Sequence, residues 1–317
     1  MNVLESPQDG CDAALLSACD VISDALSEPT RRPAVTGFFH AASNTVSYVV
    51  ADPGSTACAI VDPVLDFDLT TGRTSTGSVD ALLRFVAEAG RTAVWVLETH
   101  VHADHLSAAP YLRARFGCRL GIGSRICDAQ QTFGDVFNLQ DDCRGASGHF
   151  DQLFDDGERI EVGGLSGLVL HSPGHTPVCV AYVIGDAVFA GDTLFMPDYG
   201  TARADFPGGD ASELYRSIRR LLALPSAARL FVCHDYKAPG REDFAWETTI
   251  EAQRTRNVHV REGVSEDDFV VMRRTRDAQL SPPRLFFPSV QVNIRGGALP
   301  PPEANGCQYL KIPLNRF

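Results

Sequence analysis

Residues 93–105 read AVWVLETHVHADH. The first five are an uninterrupted apolar run, the mark of a strand buried on both faces. The last seven, THVHADH, place His100, His102, Asp104 and His105 within six positions. Imidazole and carboxylate are common ligands of zinc and iron, and four of them at the end of a rigid strand make a preorganised site. In an extended segment His100 and His102 face the same side, while Asp104 and His105 fall where the chain turns toward the next helix. One histidine in such a loop is most often a solvated side chain. HxHxDH directly after a buried strand is not.

Three later segments repeat the arrangement of an apolar run followed by a candidate ligand. His175 lies in SPGHTP (172–177) after the run 166–170, where Pro173-Gly174 makes a sharp turn that can aim the ring. Asp192 lies in AGDTL (190–194) after 187–190, and His234 in VCHDY (232–236) after 229–233. Each alone is more often a polar loop residue. Together they let one sheet edge gather seven ligands.

The segments between are read as follows. VSYVVA (46–51) and ACAIV (57–61) are short β-rich runs joined by Asp52-Pro53-Gly54, a hairpin turn signal. Val79, Leu82, Leu83 and Val86 recur at helical spacing over 79–89, with Ser78 as N-cap and Gly90 just past the end. A helix over 107–116 takes Ser107 as cap, Pro110 in its first turn and Gly117 as its stop. Strands are expected at 159–162, 166–170, 178–184, 187–190 and 229–233, and helices at 211–224, 246–257 and 266–276, followed by proline-rich extended chain. Residues 1–33 form an acidic leader (Glu5, Asp9, Asp12, Asp20, Asp24, Glu28) with a weak amphipathic pattern at Leu15, Leu16, Cys19, Ile22 and Leu26, read as one helix packed on the surface. No linker tract divides 34–317, which reads as a single α/β sandwich domain with a C-terminal helical and extended appendage.

Composition narrows the function. The chain has 317 residues, with 28 Lys+Arg against 40 Asp+Glu for a net charge of −12. That charge repels a phosphate backbone unless a basic patch offsets it. The densest basic stretches (Arg216, Arg219, Arg220 and Arg273, Arg274, Arg276) are short and at helical spacing, so nucleic acid is not an expected partner. No apolar run approaches the roughly 18 residues of a membrane span, and the acidic start is unlike a targeting segment. Nine cysteines are scattered singly without a CxxC pair, as in reduced cytosolic proteins. The expected location is cytoplasmic. Cys233, beside His234, is expected to end a strand and point into the core.

HxHxDH, PGHT, GDTL and CHDY in that order resemble the metallo-β-lactamase superfamily over about 35–240. The resemblance implies an αββα sandwich of two mixed sheets flanked by helices, with metals at one edge. By the superfamily pattern, His100, His102 and His175 form one site, Asp104, His105 and His234 a second, and Asp192 bridges them. The commonest zinc β-lactamases carry Cys where Asp192 stands, which argues against that activity. Hydroxyacylglutathione hydrolases, the glyoxalase II enzymes, use Asp, hold two metals and cleave a glutathione thioester.

A second likeness is more specific. GFFHAASNTVSYVV (37–50), AIVDPVLDFD (59–68), DTLFMPDYGTARADFPGGDA (192–211), PSVQVNIRGGALPP (288–301) and YLKIPLN (309–315) resemble bacterial persulfide dioxygenases. That family implies one Fe(II) per chain held by His100, His175 and Asp192, a 2-His-1-carboxylate triad with open positions. It implies oxidation of glutathione persulfide by O2 and water to glutathione and sulfite, in a homodimer. His102, Asp104, His105 and His234 then orient ligands, whereas in the hydrolase alternative they complete the ligand set of a two-metal site. For the glutathione carboxylates, Arg203 in TARADF is the first candidate, with Tyr236 as a hydroxyl donor and Arg254 in QRTRN as a looser match.

Overall fold

The computed structural model describes residues 12–139 and 148–315, so the first 11 residues of the leader, Glu5 and Asp9 among them, lie outside it. In chain order come α1 (Ala13–Ser27), β1 (Ala34–His40), β2 (Thr45–Ala51), β3 (Ala57–Val61), β4 (Val64–Asp68), β5 (Arg73–Ser75) and α2 (Gly77–Glu88). Then follow β6 (Thr92–Leu97), β7 (Leu106–Ser107), α3 (Ala109–Phe116), β8 (Arg119–Gly123), α4 (Ile126–Phe137) and β9 (Gln152–Phe154). The second half holds β10 (Arg159–Val162), β11 (Leu165–His171), β12 (Val180–Ile184), β13 (Ala187–Phe189), α5 (Ala211–Leu221), β14 (Arg229–Phe231) and β15 (Glu247–Thr249). It closes with α6 (Ile250–Arg256), α7 (Glu266–Asp277) and α8 (Phe286–Asn293).

Two six-stranded mixed sheets result, ordered β1-β2-β3-β6-β8-β9 and β10-β11-β12-β13-β14-β15, with a small third sheet β5-β4-β7. The period of two explains why the strands are apolar on both faces. Val46, Tyr48 and Val50 of β2 meet Val180, Tyr182 and Ile184 of β12 in the core between the sheets. Val49 and Ala51 point outward to a second core, roofed by Val79 and Leu82 of α2, Leu112 of α3, Phe133 of α4 and Val290 of α8. Ala181 and Val183 of β12 point into a third core under Ile22 of α1, Leu214 of α5 and Phe269 of α7. The layers are therefore helix, sheet, sheet, helix, as expected.

The β2–β3 turn forms where Asp52-Pro53-Gly54 stands: Asp52 accepts from the Gly54 amide at 2.8 Å and the Ser55 hydroxyl at 2.6 Å. Several boundaries differ from the sequence reading. The chain at 286–293, expected to be extended, is helix α8. The neighbouring prolines favour extended chain, but packing of Phe286 and Phe287 against Phe133 and Phe137 of α4 overrides local preference. The segment expected as a helix from 246 begins as strand β15, whose β-branched Thr248 and Thr249 pair with Leu230 and Arg229, and Thr249 then caps α6. Ser78 does not cap α2. Its amide and hydroxyl bond Asp66, and Thr76 holds the cap position. Ser107 lies one residue before the α3 cap position, though its hydroxyl still accepts from the Ala109 amide.

Helix α1 buries Ala18, Val21, Ile22 and Ala25 on β11 and β12, while Leu16, expected on the apolar face, is 51% exposed. The helix is thus part of the outer layer of the second sheet. Ile22→Ala should cost about 2–5 kcal/mol of stability, read as a lowered denaturation midpoint; a midpoint equal to that of the parent chain would make α1 a dispensable attachment.

Candidate metal centre

All four ligand-bearing loops emerge at one edge, and the topology explains why. β13 and β14 are parallel, while β11 and β13 each run antiparallel to β12, so all three end on the same side. Their following loops carry His175, Asp192 and His234. From the other sheet, the loop after β6 is drawn to that edge by Val180, whose amide donates to the Thr99 carbonyl at 2.9 Å. Two glycines permit the turns. Gly174 (φ 135°) and Gly191 (φ 51°) precede His175 and Asp192, and a Cβ on either would strike the Leu214 backbone or the Thr99 side chain.

The structure brings the predicted ligands together. One donor atom each from His100, His175 and Asp192 lies within 4.8 Å of the other two, and all three residues are buried. Asp192 Oδ2 is 3.8 Å from His100 Nε2 and 3.5 Å from His175 Nε2. His102, Asp104 and His105 form a second such group. His234 Nε2 faces Asp192 Oδ1 at 3.2 Å and Asp104 Oδ2 at 3.8 Å, between the two groups.

The other ring nitrogens set the tautomers. His175 Nδ1–H donates to the Arg203 carbonyl at 2.7 Å. Thr99 donates its hydroxyl proton to Asp62 at 2.8 Å, so its oxygen accepts from His100 Nδ1–H at 3.0 Å. Both Nε2 atoms are left as lone pairs facing Asp192, the arrangement metal-binding histidines need. Burial, reinforced for His100 by His102 and His175, pushes its pKa well below the usual imidazole range, and burial likewise lowers that of His175. Both rings are neutral donors.

His102 is held differently. Burial opposes its protonation, but Asp62 Oδ1 at 2.9 Å and Glu98 Oε2 at 3.3 Å outweigh it and raise its pKa. Burial raises the pKa of Glu98, whereas for Asp62 burial is overcome by the His102 charge and by hydrogen bonds from His102 and Thr99. His102 Nδ1 and His105 Nε2 are buried without a hydrogen-bond partner among the described residues. Orphaned imidazole nitrogens beside a carboxylate cluster are the donor set that a cation would satisfy, so the residues present fit a metal.

Around the ligands opens a cavity of about 1040 Å³. Tyr236 lies in its wall, 40% exposed and stacked on His234. Arg203 also lines it, but its guanidinium is already paired with Asp205 at 2.5 Å and 2.7 Å and donates to the Ser281 carbonyl at 2.8 Å. Arg254 does not line the cavity. Its guanidinium donates to the carbonyls of Leu222 and Leu224 and to Ser226, tying α6 to the end of α5. The sequence reading of QRTRN as a substrate contact is corrected accordingly. Cys233 is corrected too: its Sγ approaches Asp62 Oδ2 at 3.7 Å and falls in one cluster with Asp192 and His234, facing the ligands rather than the core. Burial raises its pKa, so it stands as a thiol.

Residues 41–234 match the family model of the metallo-beta-lactamase superfamily. The chain belongs to that superfamily. The His/Asp cluster is therefore the superfamily's metal-binding site. Among relatives, a probable metallo-hydrolase of Burkholderia pseudomallei is 53% identical over 89% of this chain and 99% of its own length. Glyoxylase B2 of Dictyostelium discoideum is 46% identical (86% and 94%), and the mitochondrial persulfide dioxygenase ETHE1 of Bos taurus is 31% identical (84% and 89%). The crystal structure of ETHE1 from Myxococcus xanthus superposes with a TM-score of 0.67 at 31% identity, covering 84% of this chain and all of that one. Beta-lactamase hydrolase-like proteins of Xylella fastidiosa and Agrobacterium fabrum are longer, and the chain spans 65% of their length at 48% identity. No described helix is long and apolar enough to cross a membrane.

Sequence reasoning passed over four residues that shape this centre. Asp62 and Glu98 grip His102, Thr45 Oγ1 donates to Asp104 at 2.9 Å, and Asn293 Nδ2 donates to the carbonyls of His102 and His105 at 2.9 Å and 2.8 Å. Asp62 could have been found as an acid directly after an apolar strand; Asn293, 188 residues beyond His105, carries no such signal. Asp62→Asn keeps the positive φ of 50°, which Asn tolerates, but replaces one of two accepting oxygens by a donor. Metal affinity should fall by about 10–100-fold, measured as metal per chain after dialysis against a graded chelator; unchanged retention would show that His102 and Thr99 are positioned without it.

Proposed function

We propose that the protein is a mononuclear non-haem Fe(II) persulfide dioxygenase acting on glutathione persulfide. The observation that carries the reading is the triad His100, His175 and Asp192, two neutral imidazoles and one carboxylate within 4.8 Å at the floor of an open cavity. Two histidines and a carboxylate on one face are the donor set of oxygen-activating Fe(II). The likeness to the Bos taurus persulfide dioxygenase and to the Myxococcus xanthus structure supports the same reading.

These residues would hold the iron, which when bound supplies the redox chemistry that lets O2 react with sulfur. In the overall reaction glutathione persulfide, O2 and H2O yield glutathione, sulfite and two protons, with the terminal sulfur giving up four electrons to O2. The chain's own residues perform the rest. The Arg203 carbonyl and Thr99 hydroxyl hold the two imidazoles in their donor tautomers. Tyr236 presents its phenol beside His234 in the cavity wall, where the hydroxyl can donate a hydrogen bond. Burial raises the pKa of Cys233, which disfavours a nucleophilic thiolate there.

A two-zinc hydroxyacylglutathione hydrolase is the second reading. It is favoured by the unpartnered His102 Nδ1 and His105 Nε2, which complete a second ligand group, and by the hydrolase-type names of the more similar relatives. Metal analysis with O2 uptake separates the two. The dioxygenase gives about one iron per chain and O2 consumption with glutathione persulfide, both abolished by His100→Ala, His175→Ala or Asp192→Ala. Two zinc ions per active chain with thioester hydrolysis would sink it. Cys233→Ala should keep most of the turnover, and its complete loss with iron still bound would reveal a covalent sulfur relay.

A further inference from the structure

Five arginines among the described residues line the cavity that opens from the triad: Arg73, Arg203, Arg273, Arg276 and Arg284. Two are committed within the protein. Arg203 is paired with Asp205 and donates to the carbonyls of Leu280 and Ser281. Arg273, buried, is paired with Asp277 and donates to the Thr201 carbonyl at 3.0 Å. The other three guanidiniums are exposed, and no hydrogen bond or ion pair engages them among the described residues.

Solvated arginines are common, and exposure alone would not make these a site. Their mounting distinguishes them. Arg276 lies on α7 and Arg284 on the segment after it, and both pieces are tied to the loop 201–206. Ala204 donates its amide to Asp277 at 2.9 Å, Arg273 bonds Thr201, and Arg203 holds Leu280 and Ser281. That loop also supplies the carbonyl that orients His175. In a chain of net charge −12, the uncommitted positive charges of this cavity are thus carried on a scaffold in register with the metal ligands.

We propose that Arg276 and Arg284 bind the carboxylates of a peptide thiol substrate, with Arg73 of the β4–β5 hairpin adding charge, while Arg203 and Arg273 hold that wall in place rather than touch the ligand. This rests on the glutathione reading above and reassigns its anchors from Arg203 and Arg254. A guanidinium fork binds both oxygens of a carboxylate, so each free arginine supplies direction as well as charge.

The test is calorimetric titration of the iron-loaded protein with S-methylglutathione, whose capped sulfur cannot be oxidised as a persulfide, and with its diethyl ester, which lacks both carboxylate charges. Arg276→Ala/Arg284→Ala should weaken S-methylglutathione binding tenfold or more, about 1.4 kcal/mol, and leave the weaker ester binding and the iron content unchanged. The double lysine variant should fall between, retaining charge without the fork. Equal dissociation constants for the double alanine variant and the parent chain would overturn the clamp. Failure of the parent chain to bind S-methylglutathione would overturn it together with the glutathione assignment. Tight binding that depends on both arginines, without O2 consumption on glutathione persulfide, would support the clamp and sink only the oxidation chemistry.

Discussion

Asp62 follows β3 with its carboxylate sealed from solvent, and four donors converge on it. Oδ1 accepts from the Thr99 amide at 2.7 Å and from His102 Nε2 at 2.9 Å; Oδ2 accepts from the Thr99 hydroxyl at 2.8 Å and faces Cys233 Sγ at 3.7 Å. An isolated buried carboxylate would cost several kcal/mol, so its burial is tolerable only with such partners in place. Thr99 and His102 belong to the loop of the first sheet and Cys233 to that of the second. One charge therefore draws the ends of both sheets to a common point. His100 and His234, two of the seven candidate ligands, are the direct chain neighbours of the anchors Thr99 and Cys233, and His102 is itself one of the anchors.

The opposite wall is organised by main-chain groups. The Arg203 carbonyl fixes His175, and the residues flanking it, Thr201 and Ala204, are bonded by Arg273 and Asp277 of α7. Displacement of α7 would thus be felt at the candidate ligand His175 through three hydrogen bonds. The buried Arg273–Asp277 pair contributes orientation more than stability, since desolvating both charges offsets most of their attraction. Helix α8 plays the equivalent part on the first-sheet side, where Asn293 accepts from Ser107 and donates to the carbonyls of His102 and His105. The C-terminal helices are accordingly parts of the centre, although neither contributes a metal ligand.

Some side chains could be placed from sequence and others could not, and the difference is physical. An arginine two residues beyond a turn can be assigned to a loop, but which carboxylate neutralises it depends on where distant segments lie. Arg203 meets Asp205 nearby and Leu280 and Ser281 from 77 and 78 residues away, while Arg254 is absorbed by the carbonyls at the end of α5. Cys233 was misdirected for a similar reason. β14 ends at Phe231, so alternation no longer governs the thiol two residues later. The segment 286–293, expected as proline-rich extended chain, is helical because the aromatic surface of α4 gives its side chains a face to pack on.

What the amino-acid sequence determined by itself was the layered α/β fold, the superfamily and seven candidate ligand residues, which the fold gathers at one edge. Those features are written in local periodicity and in fixed spacing after apolar strands, both of which are properties of short segments. Tertiary structure alone decided which ring nitrogen of each histidine is free, which arginines remain uncommitted, and that Asp62, Glu98 and Asn293 hold the ligands in place. Each of those outcomes is a competition among donors and acceptors brought together from far along the chain, and burial, by removing water as an alternative partner, is what makes the competition decisive.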